Sequence, residues 1–519
     1  MNNQYNPYDL YGNVTVGNKE KGFEMKNKDR IFSLFIALLI VPSVALTLWG
    51  GFNLGYTLSF IALALTFSIY LASKTVKFKI FPYICLLCSL GGAAVYSVSA
   101  DGAVRFFLFL PVTVMLFIWF VYLGGYNLSS DYSLISAVFI GVFGSAFGSM
   151  GKSLAGVFSF GNKKGKGVGK ALIGILCSIP TVLIVVALLR SSDAAFDGLL
   201  SKIGDSFGSF GTVVLKISVG LLVFPLAVSL GLGLKHNKRE QKEWQIKGGI
   251  DKAIVISFLS VLSLVYVVYI FSQLAYFFSA FKGMLPLGED ITFASYARRG
   301  FFEMTVIAAI NFALIGLAAV LVKRKENGKR NGFLNGIIVF IAMFTLLLIA
   351  TALSKMFLYI ENFGMTRLRI LTSVFMVFLA VLFLAVLLRT FIKRVPVIKT
   401  GIVAAVVLLT VVGFADVDKT VAEYNLYAYE TQITESLDVE AIGDLGTGGV
   451  PTLYKIYKNE TYPIELRFAA REELVKKCER MYNVEYEEGK RKYIRESEAG
   501  DFNLSAHKAY EILELYIKD

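Results

Sequence analysis

The sequence predicts an all-α membrane protein: a polytopic bundle of about eleven transmembrane helices followed by a small soluble helical domain. Three observations carry this. Hydrophobic residues make up 55 % of the 519-residue chain, charged residues 18 %, and mean hydropathy is +0.62, far more apolar surface than one soluble core can hide. Apolar runs of about 20 residues, the length that crosses a hydrocarbon core of about 30 Å, recur from 31 to 415. From 416 onward the composition turns polar, with 14 Lys and Arg against 22 Asp and Glu.

The net charge of +13 would point to nucleic acid in a soluble protein. Here the basic excess lies in the membrane part, where it sets orientation, so no nucleic-acid partner is expected and the lipid bilayer is. Residues 1–30 read as a disordered cytoplasmic tail and 31–415 as the transmembrane domain. The first four spans are 31–50, 53–73, 80–99 and 104–124, and Lys74, Lys77 and Lys79 between the second and third place the N-terminus in the cytoplasm.

The run 133–158 differs. Phe139, Phe143 and Phe147 recur near helical spacing while Gly141, Gly144, Ser145 and Gly148 fill other positions, so an interfacial or re-entrant helix is expected there rather than a crossing. The lysine-rich loop 161–170 lacks the spacing of a phosphate-cradling loop and reads as a cytoplasmic, lipid-attracted segment. Further spans are read at 170–190, 211–234, 250–278, 301–322, 333–358, 368–389 and 397–415. Simple alternation then puts the basic loops inside and residues 416–519 outside, as an extracytoplasmic α-helical domain in a multi-pass cell-membrane protein.

Segment 191–210 reads as a helix lying on the outer surface. Polar groups also gather at the outer boundary: Arg298, Arg299 and Glu303 on one side of a connection, and Glu361, Arg367 and Arg369 on another. Arg299 and Glu303 share a helix face, and charges so near lipid are costly unless paired, so one outer polar cluster is expected. Asn311 and Gln273 read as interhelical hydrogen-bonding groups. Cys85 and Cys88 lie in an apolar run with neither histidine, His236 or His507, near in sequence, so they read as packing residues. In the tail, apolar positions fall at helical spacing, Asn503 caps the last helix, and Gly443, Gly446, Gly448, Gly449 and Pro451 punctuate the middle. No catalytic constellation, metal-ligand cluster or cofactor is expected.

Several short motifs carry a resemblance: Asp193-Ala194-Ala195-Phe196, Tyr296-Ala297-Arg298-Arg299-Gly300-Phe301-Phe302-Glu303, Gly364-Met365-Thr366-Arg367, Tyr424-Asn425, Val450-Pro451 and Phe502-Asn503-Leu504-Ser505. In their order they resemble a bacterial membrane-protein family, domain of unknown function 4173, related to family 4153. The resemblance implies a polytopic envelope protein with a C-terminal module and transfers no catalytic or binding residues. The function read from these features is a non-catalytic envelope sensor or assembly component that meets an envelope protein partner through its C-terminal domain. A secondary transporter is the alternative, and an intramembrane enzyme acting on a lipid-linked substrate the second alternative.

Overall fold

The computed structural model describes residues 25–48, 51–72, 78–148, 191–236, 249–282, 301–322, 332–392, 394–487, 490–495 and 501–518, with isolated positions between 150 and 189. Residues 1–24, the loop 161–170, and Arg298 and Arg299, for which the sequence carries expectations, lie outside them.

The chain is a helix bundle. Its membrane part contains α1 (Asn27–Leu48), α2 (Leu54–Leu71), α3 (Ile80–Val98), α4 (Gly102–Leu123), α5 (Asp131–Gly148), α6 (Ala194–His236), α7 (Lys252–Lys282), α8 (Phe301–Leu321), α9 (Gly332–Phe363), α10 (Arg367–Phe391) and α11 (Val397–Ala415). Eleven helices among the described residues are long and apolar enough to cross a membrane, α5 among them. The eleven read from the sequence counted 170–190 in its place, and most of that segment is outside the described residues.

Local chemistry sets several boundaries. Asp101 caps α4 by accepting from the Val104 N–H at 2.8 Å, and Ser130 and Ser133 form a reciprocal capping box at the start of α5. Helix α1 starts at Asn27, earlier than the apolar run, because Asp29 is drawn into the fold: its carboxylate accepts from the Tyr70 hydroxyl at 2.7 Å and pairs with Lys235 at 3.4 Å. The expected surface helix and the span after it form one unbroken 43-residue helix, α6. At about 1.5 Å per residue that is roughly 65 Å. Only its second part, Lys216–His236, has the composition of a span.

Contacts sort the helix ends into two levels. At one, the start of α1 meets the ends of α2 and α6 through Asp29, Tyr70 and Lys235. At the same level Lys399, at the start of α11, donates to the carbonyls of Leu128 and Ser129 just beyond α4, and Arg389, near the end of α10, donates to Asp131 at 2.6 Å. This is the far end. At the other, the start of α2, the end of α3 and the start of α10 meet the C-terminal elements, and Arg105 at the start of α4 shares two of the acceptor carbonyls; this is the cap end.

The cap consists of α12 (Val417–Glu430), α13 (Val439–Asp444), a 3-10 turn (Thr447–Gly449), α14 (Val450–Lys458), α15 (Ile464–Met481), an antiparallel hairpin β1 (Asn483–Glu487) and β2 (Lys490–Ile494), and α16 (Leu504–Lys518). Two hydrophobic cores result. One runs through α1–α6 and the middle of α11 and continues without a break into the cap; the other lies among α7–α10 and the start of α11.

Candidate functional site

The cap end holds a network of buried polar groups joining both bundles to the cap. Asp416 ends α11 and caps α12 from a left-handed conformation (φ 52°), which breaks the chain sharply where it leaves the bundle. Two residues on, Asp418 is buried. One of its oxygens accepts from Arg367 Nε at the start of α10, and the other accepts from the Gly446 N–H at 2.8 Å. Arg367 also reaches the Asp444 carbonyl at 3.4 Å. From α15, Lys477 donates to the carbonyls of Leu445 and Gly446. The loop Asp444–Gly446 is therefore held from three elements at once.

The glycines of this loop serve close packing. A Cβ on Gly446 would meet Asp418 Oδ2 at 2.5 Å, and one on Gly448 would meet the Lys419 nitrogen at 2.5 Å. At the same end Asn425 of α12 grips the α9–α10 turn by accepting from the Met365 N–H and donating to the Met365 carbonyl. Asn503 caps α16 by accepting from the Ala506 N–H at 3.1 Å, as its sequence position predicts, and donates to the carbonyls of Tyr96 and Ser99 at 3.0 Å each. The Phe502 carbonyl accepts from the Leu54 N–H at 3.0 Å. Arg105 donates to the same two carbonyls and to Asn53 Oδ1 at 2.8 Å.

Burial decides the protonation tendencies here. Burial and the neighbouring carboxylates Asp418 and Asp101 push the Asp416 carboxyl above the ordinary range, against hydrogen bonds from Ser505 and the Lys419 N–H. Burial, with Arg480 nearby, holds the Lys477 ammonium below the ordinary lysine range.

Of the six residues singled out in the sequence, Arg367 enters this network. Arg369 closes the α9–α10 turn, donating to the carbonyls of Phe363 and Gly364 with its guanidinium 4.0 Å from the Tyr359 ring centre. Glu303 and Glu361 are exposed, in the first turn of α8 and the last of α9, and no ion pair joins either to Arg367 or Arg369 among the described residues. Arg298 and Arg299 lie outside those residues. Asp101, Arg105, Asp416, Asp418 and Lys477 escaped the sequence reading; the one local signal was the pair Asp416 and Asp418 directly after an apolar run.

A second polar group lies inside the α7–α10 core. The Tyr266 hydroxyl donates to Asn311 Oδ1 at 2.5 Å, and Asn311 Nδ2 donates to the Thr345 hydroxyl at 2.9 Å. Asn311 thus bridges α7, α8 and α9. No group of three or more His, Cys, Asp or Glu side chains able to hold a metal is found among the described residues.

Apolar helices of spanning length and a polar junction at one end of them define a polytopic α-helical membrane protein. The model of the family described as Domain of unknown function (DUF4153) matches residues 31–456, and the chain belongs to that family. The match is to family 4153, the relative that the resemblance to family 4173 implied. The match ends inside α14, before Lys477 and Asn503. No curated protein and no solved structure matches the chain.

Proposed function

We propose that the protein is a non-catalytic envelope component, a sensor or assembly partner, in which the cap reads the relative position of the two membrane bundles. The observation that carries this is Asp418. It ties Arg367 of the second bundle to the loop at Gly446, within a cap that shares its core with the first bundle. The carboxylate is spent on protein donors, as suits a mechanical joint rather than a site of proton transfer. The lysine and arginine bias of the connecting loops supports a cytoplasmic far end and an extracytoplasmic cap.

The partner surface we assign to the cap includes Ile464 and Phe468, one turn apart on α15 and 61 % and 56 % exposed. Protein purified in mild detergent is expected to carry a stoichiometric envelope partner, and the I464S/F468S variant to lose it while keeping its thermal unfolding profile. Repeated recovery of the unsubstituted protein alone overturns the reading. Sidedness is tested separately: a cysteine at Asn459 should react with an impermeant label added outside cells, and one at Lys164 should not.

A further inference from the structure

Helix α5 satisfies the length and composition of a span, yet its contacts keep it at one level. Its first residue, Asp131, is bound by Arg389 at the end of α10. Its middle lies on the last turn of α4, where a Cβ on Gly141 would meet Val121 at 2.9 Å. Towards its end, the Ser145 carbonyl accepts from the Ser229 hydroxyl at 3.0 Å, and a Cβ on Gly233 would meet the Ser145 backbone at 2.8 Å, close to the end of α6. Start, middle and end thus all touch far-end helix termini. A helix of this length crossing the bilayer would carry its last residues roughly 25 Å in depth away from that level.

The two faces of α5 differ as an in-plane helix requires. Gly141, Val142, Ser145 and Ala146 are buried against α4 and α6. On the outward side Phe139, Phe143 and Phe147 are 53 %, 50 % and 62 % exposed. Their rings follow one another, with centroids 5.2 Å and 6.4 Å apart. Residues four apart on an α-helix drift around the axis, and the wider π turn over Phe139–Gly144 takes up part of that drift, keeping the three rings in one line.

What covers this stripe is marked by its surroundings. Tyr83, Trp119 and Tyr122 form a contiguous aromatic group in the turns of α3 and α4 beside Val121, the composition that sits at headgroup level. Lys26, Lys28, Arg30 and Lys79 are exposed at the same end; beside them Asp29 and Asp131 are buried and paired, while Asp251 before α7 is exposed. We infer that α5 lies along the far-end leaflet with Phe139, Phe143 and Phe147 inserted at the boundary between headgroups and acyl chains of anionic lipid. Asp131 and Ser145 tie it to α10 and α6, so lateral packing of that leaflet bears on both bundles.

The test uses the full chain in vesicles of mixed zwitterionic and anionic phospholipid. Tryptophan is placed singly by F139W, F143W and F147W, and its emission is read as the difference from the parent protein with its three tryptophans. Lipids brominated just below the headgroup are expected to quench all three positions to the same fraction, and lipids brominated near the bilayer centre to quench them weakly. A crossing helix would advance about 6 Å in depth between successive positions. A graded response from F139W to F147W, or no quenching by either lipid, overturns the inference. As a second measurement on the unsubstituted protein, a lipid with a photoreactive group beside its headgroup should crosslink within 131–148; crosslinks confined to other segments would equally overturn it.

Discussion

Asn425 holds Met365 from both sides: its Oδ1 accepts the Met365 N–H at 2.6 Å while its Nδ2 donates to the Met365 carbonyl at 3.0 Å. A side-chain amide from the cap thus completes the hydrogen bonding of a turn in the second bundle. The adjoining Gly364 adopts φ +72°, and a Cβ there would stand 2.7 Å from the same Asn425 oxygen.

N425A should therefore destabilise the protein by about 1–3 kcal/mol, the cost of leaving two partly buried peptide groups unmet. G364A should cost a similar amount, about 1–3 kcal/mol, through both strain and crowding. Combining them should cost less than the sum, because N425A removes the atom that the alanine methyl meets. Thermal unfolding in one detergent measures all three.

Removing the Asp418 carboxylate leaves Arg367 Nε and the Gly446 N–H without their acceptor. D418A is expected to cost on the order of 2 kcal/mol, less than breaking a fully buried pair, because Arg367 stays 39 % exposed to solvent. The reversal R367D/D418R should recover part of the loss, since the ion pair can re-form while the Gly446 N–H stays unmet. A double-mutant cycle on unfolding temperature reads this, and no recovery at all would show that Arg367 contributes through packing.

Two carboxyls of the cap end should respond to pH in opposite senses. Asp416 has its folded pKa raised, first by burial, so the folded state holds this proton more readily than the unfolded state. Its contribution is most favourable in acid and is lost as pH rises from the ordinary carboxylate range through the folded value. Glu430 is held below that range by hydrogen bonds from Tyr462 and Lys455. Its contribution is present above the ordinary range and is lost as pH falls through the folded value. D416N, whose amide tolerates the left-handed backbone, should gain stability over the parent as pH rises from acid to neutral. E430Q should lose stability over the same interval. Unfolding temperatures across a pH series check both signs.

Asn503→Ala removes a helix cap and two donors to the end of α3. The first turn of α16 should lose hydrogen-exchange protection together with the residues after Tyr96, while α8 and α9, in the other core, keep theirs. Uniform loss across the chain would show instead that the cap and both bundles unfold as one unit.

The membrane helices are legible because a run of about 20 apolar residues has few other fates. Their ends are less so. Segment 191–210 reads as a surface helix separate from the span at 211–234, yet α6 runs through both and passes Gly204, Gly208 and Gly211, since glycine inside a helix costs only about 1 kcal/mol against alanine. The hairpin was hidden by charge: Glu485 faces Lys492 and Glu487 faces Lys490, a stabilising cross-strand pattern that in linear order resembles a solvated helix or loop. The polar junction was illegible for a different reason. In the sequence Arg367 groups with Glu303 and Glu361, which like it border apolar runs, but its partner is Asp418, whose carboxylate is brought to it by the break at Asp416. Asn425 and Asn503 were visible as short motifs without the backbone groups they serve, and no local periodicity points from one to the other.

The bond from Asn503 to Tyr96 bridges 407 residues of chain. At synthesis rates of about 5–20 residues per second, roughly 20 to 80 seconds separate the two leaving the ribosome. Throughout that interval the Tyr96 and Ser99 carbonyls have the Arg105 donors and lack the amide that Asn503 brings. A nascent chain halted anywhere in between keeps that end unsealed, so this late contact is also a timekeeper of biogenesis, separating molecules that have passed Asn503 from stalled ones by the state of a surface made up to a minute or so earlier.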